Sequence, residues 1–443
     1  MNNSESKGIT KISISGFKSI ANECSIDIRP LTILAGANSS GKSSIMQPLL
    51  LMKQTLESPY SYAGLSLNGE NIRFTSAKQI LSRFSKANQQ DIFTVQIDID
   101  INRFCRLKFQ NIPEGGLQTV ETSYSFEDYL QHLVKTFNKV TLSPEMTREE
   151  IIKALPPEIT RLYEIQKKGS LNYKITNFYY YLICTVPEIG FPIYNPTSAF
   201  STEISEIIHV KGMRNNLERT YKLLAFDSNH PHYSGAFDNY IGSLISYWSK
   251  KNTAKLEALN DTLAFLNLVK KVEAENLNDT QIELRVTRSN DSDDMVNIVD
   301  VGSGVSQILP VLVALVAAEP EQLVYLEEPE IHLHPRAQAN LGEIIVDAAN
   351  RGVRVVLETH SDLLLRRIQS LVAEDKISAD KAILHWFSRD EHGFTQVTST
   401  PLNATGGYGD PDFPLDFSDV FLDEEGRYLE AASEKRWKEQ NEY

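Results

Sequence analysis

Little in this chain points away from a reducing, aqueous compartment. Cysteine is scarce: Cys24, Cys105 and Cys184 stand far apart and are odd in number, which excludes a disulfide framework and a CxxC metal site. No apolar run reaches the roughly 18 residues that a bilayer span requires, and the longest candidate, Ile308 to Ala318, is about half a span. The polar opening MNNSESKGIT lacks the pattern of a signal peptide, so a cytoplasmic protein without membrane contact is expected. No heptad run is sustained and no repeat of 20 to 50 residues recurs, which excludes a coiled coil and a solenoid. A basic excess is missing as well. With 44 Lys/Arg against 58 Asp/Glu the net charge is −14, whereas a protein that coats nucleic acid usually carries the opposite sign.

What is present is ordinary for folded protein: 443 residues, 41% hydrophobic and 23% charged, long enough for more than one domain. The acid is unevenly placed. Residues 401–443 hold 11 Asp/Glu and 4 Lys/Arg, so a local basic groove elsewhere stays possible. Lys250-Lys251 and Lys270-Lys271 are candidates for it, although a solvated helix face accounts better for each.

Hydrophobic periodicity organises the rest. Ile12, Ile14 and Phe17, then Cys24 to Ile28, alternate as strands, and Leu31 to Ala35 is a short apolar run of the buried parallel type. A helix is expected from Lys42 to about Leu56, kinked at Pro48. Residues 64–110 look strand-rich, with Ile92 to Ile99 the clearest alternation, and about 125–275 look mostly helical. Ile282–Val286 and Met295–Val299 flank a polar SNDSDD turn as a hairpin. After it, helices at about 304–318, 335–350 and 362–374 alternate with strands at 322–327 and 353–358, the signature of a parallel α/β sheet.

Between the buried strand and the first helix lies Gly36-Ala37-Asn38-Ser39-Ser40-Gly41-Lys42-Ser43, a GxxxxGKS loop followed by Ser44. Glycines let such a backbone wrap so that its N–H groups meet a phosphate, and the helix N-terminus adds its positive end. Lys42 is then expected to reach the β- and γ-phosphates of a nucleotide such as ATP, and the Ser43 hydroxyl to ligate Mg²⁺. Hydrolysis also needs a carboxylate near the metal and a base for the attacking water. Leu323 to Leu326 leads into Glu327-Glu328-Pro329: Glu327 is the candidate to hold Mg²⁺ through water, and Glu328 the candidate base. Val353 to Leu357 leads into Glu358-Thr359-His360-Ser361-Asp362, where His360 is placed to meet the γ-phosphate and orient water. His332 and His334 lack a third ligand at metal spacing and fit better as a loop that shapes the site or a dimer contact.

Taken together, Gly36 to Ser43, the turn Gly302-Ser303-Gly304-Val305-Ser306-Gln307, LEEPEIHLHP and ETHSD resemble the ABC-type ATPase heads of the SMC, RecF and OLD proteins. The EEPE-x-HLHP and ETHS forms look most like the OLD-like branch often labelled AAA ATPase, including the PtuA subunit of Septu and retron-associated defence ATPases. ISISGFKSI, Ile208 to Arg214 and Glu218 to Tyr221 add to the likeness, which covers residues 8–115 and 280–375 well and the middle weakly.

The resemblance implies an α/β fold, an ABC-type P-loop NTPase head with an N-terminal β-rich subdomain, a parallel core sheet and a mostly helical insertion. The expected segments are an N-terminal lobe (1–120), a helical arm or lid (121–278), a C-terminal lobe (279–385) and an acidic extension (386–443). The signature-loop role, contact with the γ-phosphate bound to an opposite protomer, falls on Ser303, Gly304 and Gln307, one residue off the LSGGQ spacing. A homodimer or higher oligomer would then close around ATP and Mg²⁺. No glutamine is singled out for the Gln-loop role; Gln54, Gln79 and Gln96 all qualify. OLD nucleases carry a TOPRIM nuclease domain after the head, and the residues after His360 are too few for one. A separately encoded nuclease effector in anti-phage defence is therefore the expected partner. A RecF- or SMC-like DNA clamp is the alternative, and a transporter motor the weakest reading. The tail acids Asp410, Asp412, Asp416 and Asp419 fit a solvated or partner-docking extension.

Overall fold

The computed structural model describes residues 8–58, 64–83, 90–99, 103–113, 116–126, 138–155, 173–185, 192–194, 197–214, 218–226, 232–287, 294–408 and 426–433. The alternating residues near the N-terminus form β1 (Lys11–Ser15) and β2 (Cys24–Asp27), and the unbroken apolar run forms β3 (Leu31–Gly36), buried along its whole length. Helix α1 (Lys42–Leu56) follows, with Pro48 inside it. Next come β4 (Ile92–Asp98), β5 (Phe104–Ile112), β6 (Gly116–Phe126) and β7 (Asn138–Leu142). These pair antiparallel in the order β2-β1-β4-β5-β6-β7, and the odd–even alternation of β4 puts Phe93, Val95 and Ile97 into the core.

The middle of the chain contributes α2 (Arg148–Ala154), β8 (Lys174–Phe178), β9 (Tyr181–Thr185), β10 (Pro192–Tyr194), α3 (Thr197–Ser205), β11 (Ile208–Val210) and β12 (Tyr221–Lys222). Helices α4 (Ile241–Lys251) and α5 (Thr253–Phe265) precede β13 (Val272–Asn276), β14 (Gln281–Thr287) and β15 (Met295–Asn297). The last part alternates as expected: α6 (Ser303–Ala317), β16 (Leu323–Glu327), α7 (Pro335–Asn350), β17 (Arg354–Glu358), α8 (Asp362–Ala373), then β18 (Ala382–Arg389) and β19 (Thr395–Pro401).

The central sheet runs β11-β16-β17-β3-β18-β19, parallel except for β19. It is covered on both faces, and the sequence shows why. In β3, Leu31, Ile33 and Ala35 enter one hydrophobic cluster with α6, α7 and α8, while Leu34 enters a second with α1 and the antiparallel sheet. In β16, Val324 and Leu326 join the first cluster, and Leu323 and Tyr325 the second. A strand apolar on both faces reads as a continuous run, not an alternation. All five parallel strands therefore end at one edge, where α/β sheets place their ligands.

Three expectations need correction. Residues 121–278 are not mostly helical where they are described: short strands such as Tyr181–Thr185 and Ile208–Val210 interleave with the helices, because apolar runs of three to five residues suit either state. Nor is the segment a separate arm, since β11 pairs with β16 inside the central sheet. The boundary after residue 385 falls within β18, whose pairing with β3 carries the sheet past it; composition alone put the acidic extension too early. The β14–β15 hairpin forms as expected, with Val286 opposite Val296. Most of its SNDSDD turn and the tail acids Asp410 to Asp419 lie outside the described residues. Among the described residues no helix is long and apolar enough to cross a membrane.

Candidate functional site

At the carboxyl edge of the parallel sheet the chain leaves β3 through a turn that only its own residue types allow. Gly36 has φ +136, and a side chain there would stand 2.1 Å from the Phe387 carbonyl oxygen of β18. Ser39 is left-handed at φ 60. Gly41, at φ +106, leaves no room beside Thr395 Oγ1, and as N-cap of α1 it provides no side-chain cap, so the helix opens onto the cleft with backbone N–H groups. The loop is braced from the far strands. Arg389 Nε donates to Ser39 O at 2.6 Å, and Thr395 Oγ1 donates to Ser40 O at 2.7 Å.

Asn38 to Ser44 line an open cleft of about 510 Å³ together with Lys18, Ser19, Gln47, Glu328, Glu358, His360 and Arg389. Lys42 is almost fully buried. Its Nζ donates to the carbonyl oxygens of Gly36 at 3.0 Å and Ala37 at 2.9 Å. Burial lowers its pKa, against the opposing pull of Glu358 and Glu328. An ammonium held only by loop carbonyls is free to turn to a phosphate. Gln47 Oε1 is buried in the cleft wall without a hydrogen-bond partner, a polar atom that suits a ligand.

The acids divide the work differently from their spacing in sequence. Glu327 ends β16, but His209 of β11 donates through Nε2 to its Oε1 at 3.0 Å, and the Gly212 N–H donates to its Oε2 at 3.1 Å. Burial pushes this carboxyl up. The hydrogen bonds from His209 and Gly212 outweigh it and hold the group below the usual carboxylate range. Glu358, at the end of β17, is the acid that meets the P-loop: Ser43 Oγ donates to its Oε1 at 2.8 Å and Tyr325 OH to its Oε2 at 2.6 Å. Burial raises its pKa, with Tyr325 and Ser43 opposing.

Glu328 takes a left-handed conformation at φ 42, which turns its side chain into the cleft. His360 Nε2 lies 3.6 Å from Glu328 Oε1. Its imidazole is pushed below its ordinary value by burial and by Lys42, so at neutral pH it is an uncharged ring able to donate or accept. Glu330, also buried, fastens the two loops together: its Oε1 accepts from Thr359 Oγ1 at 2.6 Å and from His360 N at 3.0 Å. Arg214 performs the same task from the other side, donating to Glu328 O at 3.1 Å, Glu327 O at 3.3 Å and Gln307 O at 2.5 Å.

The structure thus brings Asn38 to Ser44, Glu328 and His360 to one cleft. It does not bring the signature residues there. Ser303 and Gly304 begin α6, Gly304 faces His332 O, and Gln307 is buried against Arg214. Of the three glutamines considered, Gln54 holds Ser66 O and Ile72 N, Gln79 accepts from Thr75 N, and Gln96 pairs with Asp98. Gln47 is the glutamine in the cleft. Lys250 is bonded to Asn276 and Lys271 is paired with Glu273, both at the surface. His334 caps α7 with its own Nδ1.

Sequence reasoning missed Lys18, Ser19, Gln47, Glu358 and Arg389 as site residues. Glu358 had a signal, since it follows a buried strand two residues before His360. Arg389 had none, because its place depends on β18 lying beside β3. Among the described residues no three His, Cys, Asp or Glu side chains are grouped to hold a metal alone. The oxygen-only donors around Ser43 fit Mg²⁺, which takes one or two protein ligands and completes its shell with phosphates and water.

Solved structures similar to this chain include SMC heads. The SMC head bound to the C-winged helix domain of ScpA is 14% identical, with a TM-score of 0.49 over 89% of this chain and 98% of that one. The SMC head domain from Thermotoga maritima is 11% identical, with a TM-score of 0.39 over 89% and 99%. The head with an extended coiled coil bound to the C-terminal domain of ScpA, derived from Pyrococcus furiosus, is 13% identical, with a TM-score of 0.46 over 89% and 96%. No curated protein matches the chain in sequence. The model of the AAA ATPase domain matches residues 8–365, from just before β1 into α8 and across every motif described above, and the chain belongs to that family.

Proposed function

We propose that this protein binds ATP with Mg²⁺ in the cleft and hydrolyses it to ADP and phosphate. The observation that carries the reading is the convergence of Lys42, Ser43, Glu328 and His360 on one cavity. Phosphoryl transfer asks mainly for positioning and charge stabilisation. The P-loop amides and Lys42 hold the β- and γ-phosphates. Glu328 takes the proton of the attacking water, and the neutral His360 orients that water against the γ-phosphate. Bound Mg²⁺ neutralises phosphate charge; Ser43 would hold it directly and Glu327 through water.

The same reading makes the working unit a homodimer. Ser303 and Gly304, at the start of α6 and outside the cleft, would complete the partner's site, and Gln307, buried against Arg214, would support that turn from behind. The OLD-like form of LEEPEIHLHP and ETHSD further supports a regulatory ATPase that licenses a separately encoded nuclease in anti-phage defence. Steady-state ATPase activity with and without duplex DNA, beside the mass in solution with and without ATP, tests this. A slow ATPase indifferent to DNA, dimeric with ATP, is expected. Several-fold stimulation by DNA, lost as salt rises, would replace the defence role with a DNA clamp.

A further inference from the structure

The sequence suggests Glu327 as the acid for the cation, yet the acid that touches the P-loop is Glu358. Its strand, β17, lies between β16 and β3, with Glu358 opposite Glu327 on one side and Leu34 on the other. The side chain is 5% exposed. One oxygen accepts from Ser43 Oγ at 2.8 Å and the other from Tyr325 OH at 2.6 Å. Tyr325 is itself fully buried, which raises its pKa well above the ordinary value and keeps it a donor. The carboxylate is therefore fixed from behind by Tyr325, and its other oxygen accepts from the hydroxyl expected on Mg²⁺.

The spacing of those two oxygens is informative. Neighbouring ligands of an octahedral Mg²⁺ with bonds of 2.0–2.1 Å stand about 2.9 Å apart. Ser43 Oγ and Glu358 Oε1 stand 2.8 Å apart, a hydrogen-bond separation that also leaves the two oxygens compatible with neighbouring places on one cation. Glu327, held by His209 and Gly212, is not among the residues that line the cleft, whereas Glu358 is. Glu358 also adds a buried negative charge beside the phosphate position, where Lys42 is already opposed by Glu328.

We propose that Glu358 is a direct cation ligand alongside Ser43, and that it makes nucleotide binding conditional on the divalent cation. This rests on the nucleotide reading above. Without the cation, the phosphates approach an uncompensated buried carboxylate; with it, that carboxylate becomes part of the clamp.

The test is isothermal titration of the full chain with AMP-PNP, in Mg²⁺ and in EDTA, for wild type and Glu358→Gln. Gln accepts from Ser43 and donates to the Tyr325 hydroxyl, so the local bonds survive; a thermal melt confirms folding. Electron paramagnetic resonance of Mn²⁺ titrated into the AMP-PNP complex gives cation affinity independently of turnover. Wild type is expected to lose about 100-fold in AMP-PNP affinity without Mg²⁺, the order of a lost metal contact. In Glu358→Gln that ratio shrinks below about 10-fold and Mn²⁺ binds 10–100-fold more weakly. An unchanged ratio and unchanged Mn²⁺ affinity in the variant would overturn the assignment and leave the nucleotide site standing. A wild type that binds AMP-PNP under neither condition would remove the nucleotide reading itself.

Discussion

Glu330 offers the sharpest separation of positioning from folding. Its Oε1 accepts from Thr359 Oγ1 at 2.6 Å and His360 N at 3.0 Å, and at 6% exposure no solvent replaces it. Glu330→Ala leaves the Thr359 hydroxyl proton and the His360 N–H without their acceptor, at about 1–3 kcal/mol each. Two such groups put the loss of global stability at about 2–6 kcal/mol. The loop that carries His360 is then no longer tied to the loop that carries Glu328. Glu330→Gln keeps the accepting oxygen in place. It also replaces a carboxyl whose pKa burial has raised, so its charge is no longer paid for in desolvation. Steady-state ATP turnover at saturating Mg²⁺, with urea unfolding in parallel, resolves the two. The alanine variant should lose about 100-fold in kcat, a typical general-acid–base effect, with KM changed little. The glutamine variant should turn over within a few-fold of wild type. Equal loss of kcat in both, with stability retained in Glu330→Gln, would refute the positioning role and point to a need for the charge.

Two further predictions concern stability. Lys53 and Glu57 form a buried ion pair at 2.9 Å, with side chains 2% and 7% exposed, and Lys53 also donates to Ser205 O and Tyr233 O. Lys53→Met should cost about 3–5 kcal/mol in urea unfolding by leaving Glu57 uncompensated; adding Glu57→Gln should restore part of it, and additive losses would deny the coupling. Glu203 is pushed up to about 7, by burial first and by Glu206 next. A raised acid contributes stability that is full below the unfolded value near 4.5 and lost as pH rises through 7, with a ceiling of about 3 kcal/mol before solvent screening. Glu203→Gln should therefore raise Tm at pH 8 and leave it nearly unchanged at pH 4; an equal shift at both would contradict the assignment.

Local chemistry was legible in the sequence, and lateral neighbours were not. The P-loop is written in eight consecutive residues, and Gly36 and Gly41 are needed for conformations that the same stretch adopts. The final alternation of helix and strand was readable because each element is long and its apolar face unambiguous, as in α7 and α8. Which strand lies beside which is a matter of long-range pairing. That is why Glu358 reached Ser43 unannounced, why His209 came to hold Glu327 from a three-residue strand, and why Arg389 entered the cleft from a stretch assigned to the acidic tail. The same blindness hid the sheet membership of β11, whose three residues carry no periodicity of their own.

The central claim is hydrolysis with Glu328 as base. The most direct measurement is phosphate release from ATP by wild type and Glu328→Gln, with ATP binding measured on the same samples. The account predicts that the variant binds ATP as tightly as wild type and releases phosphate slower by about 100-fold or more. Turnover unchanged by Glu328→Gln would contradict it.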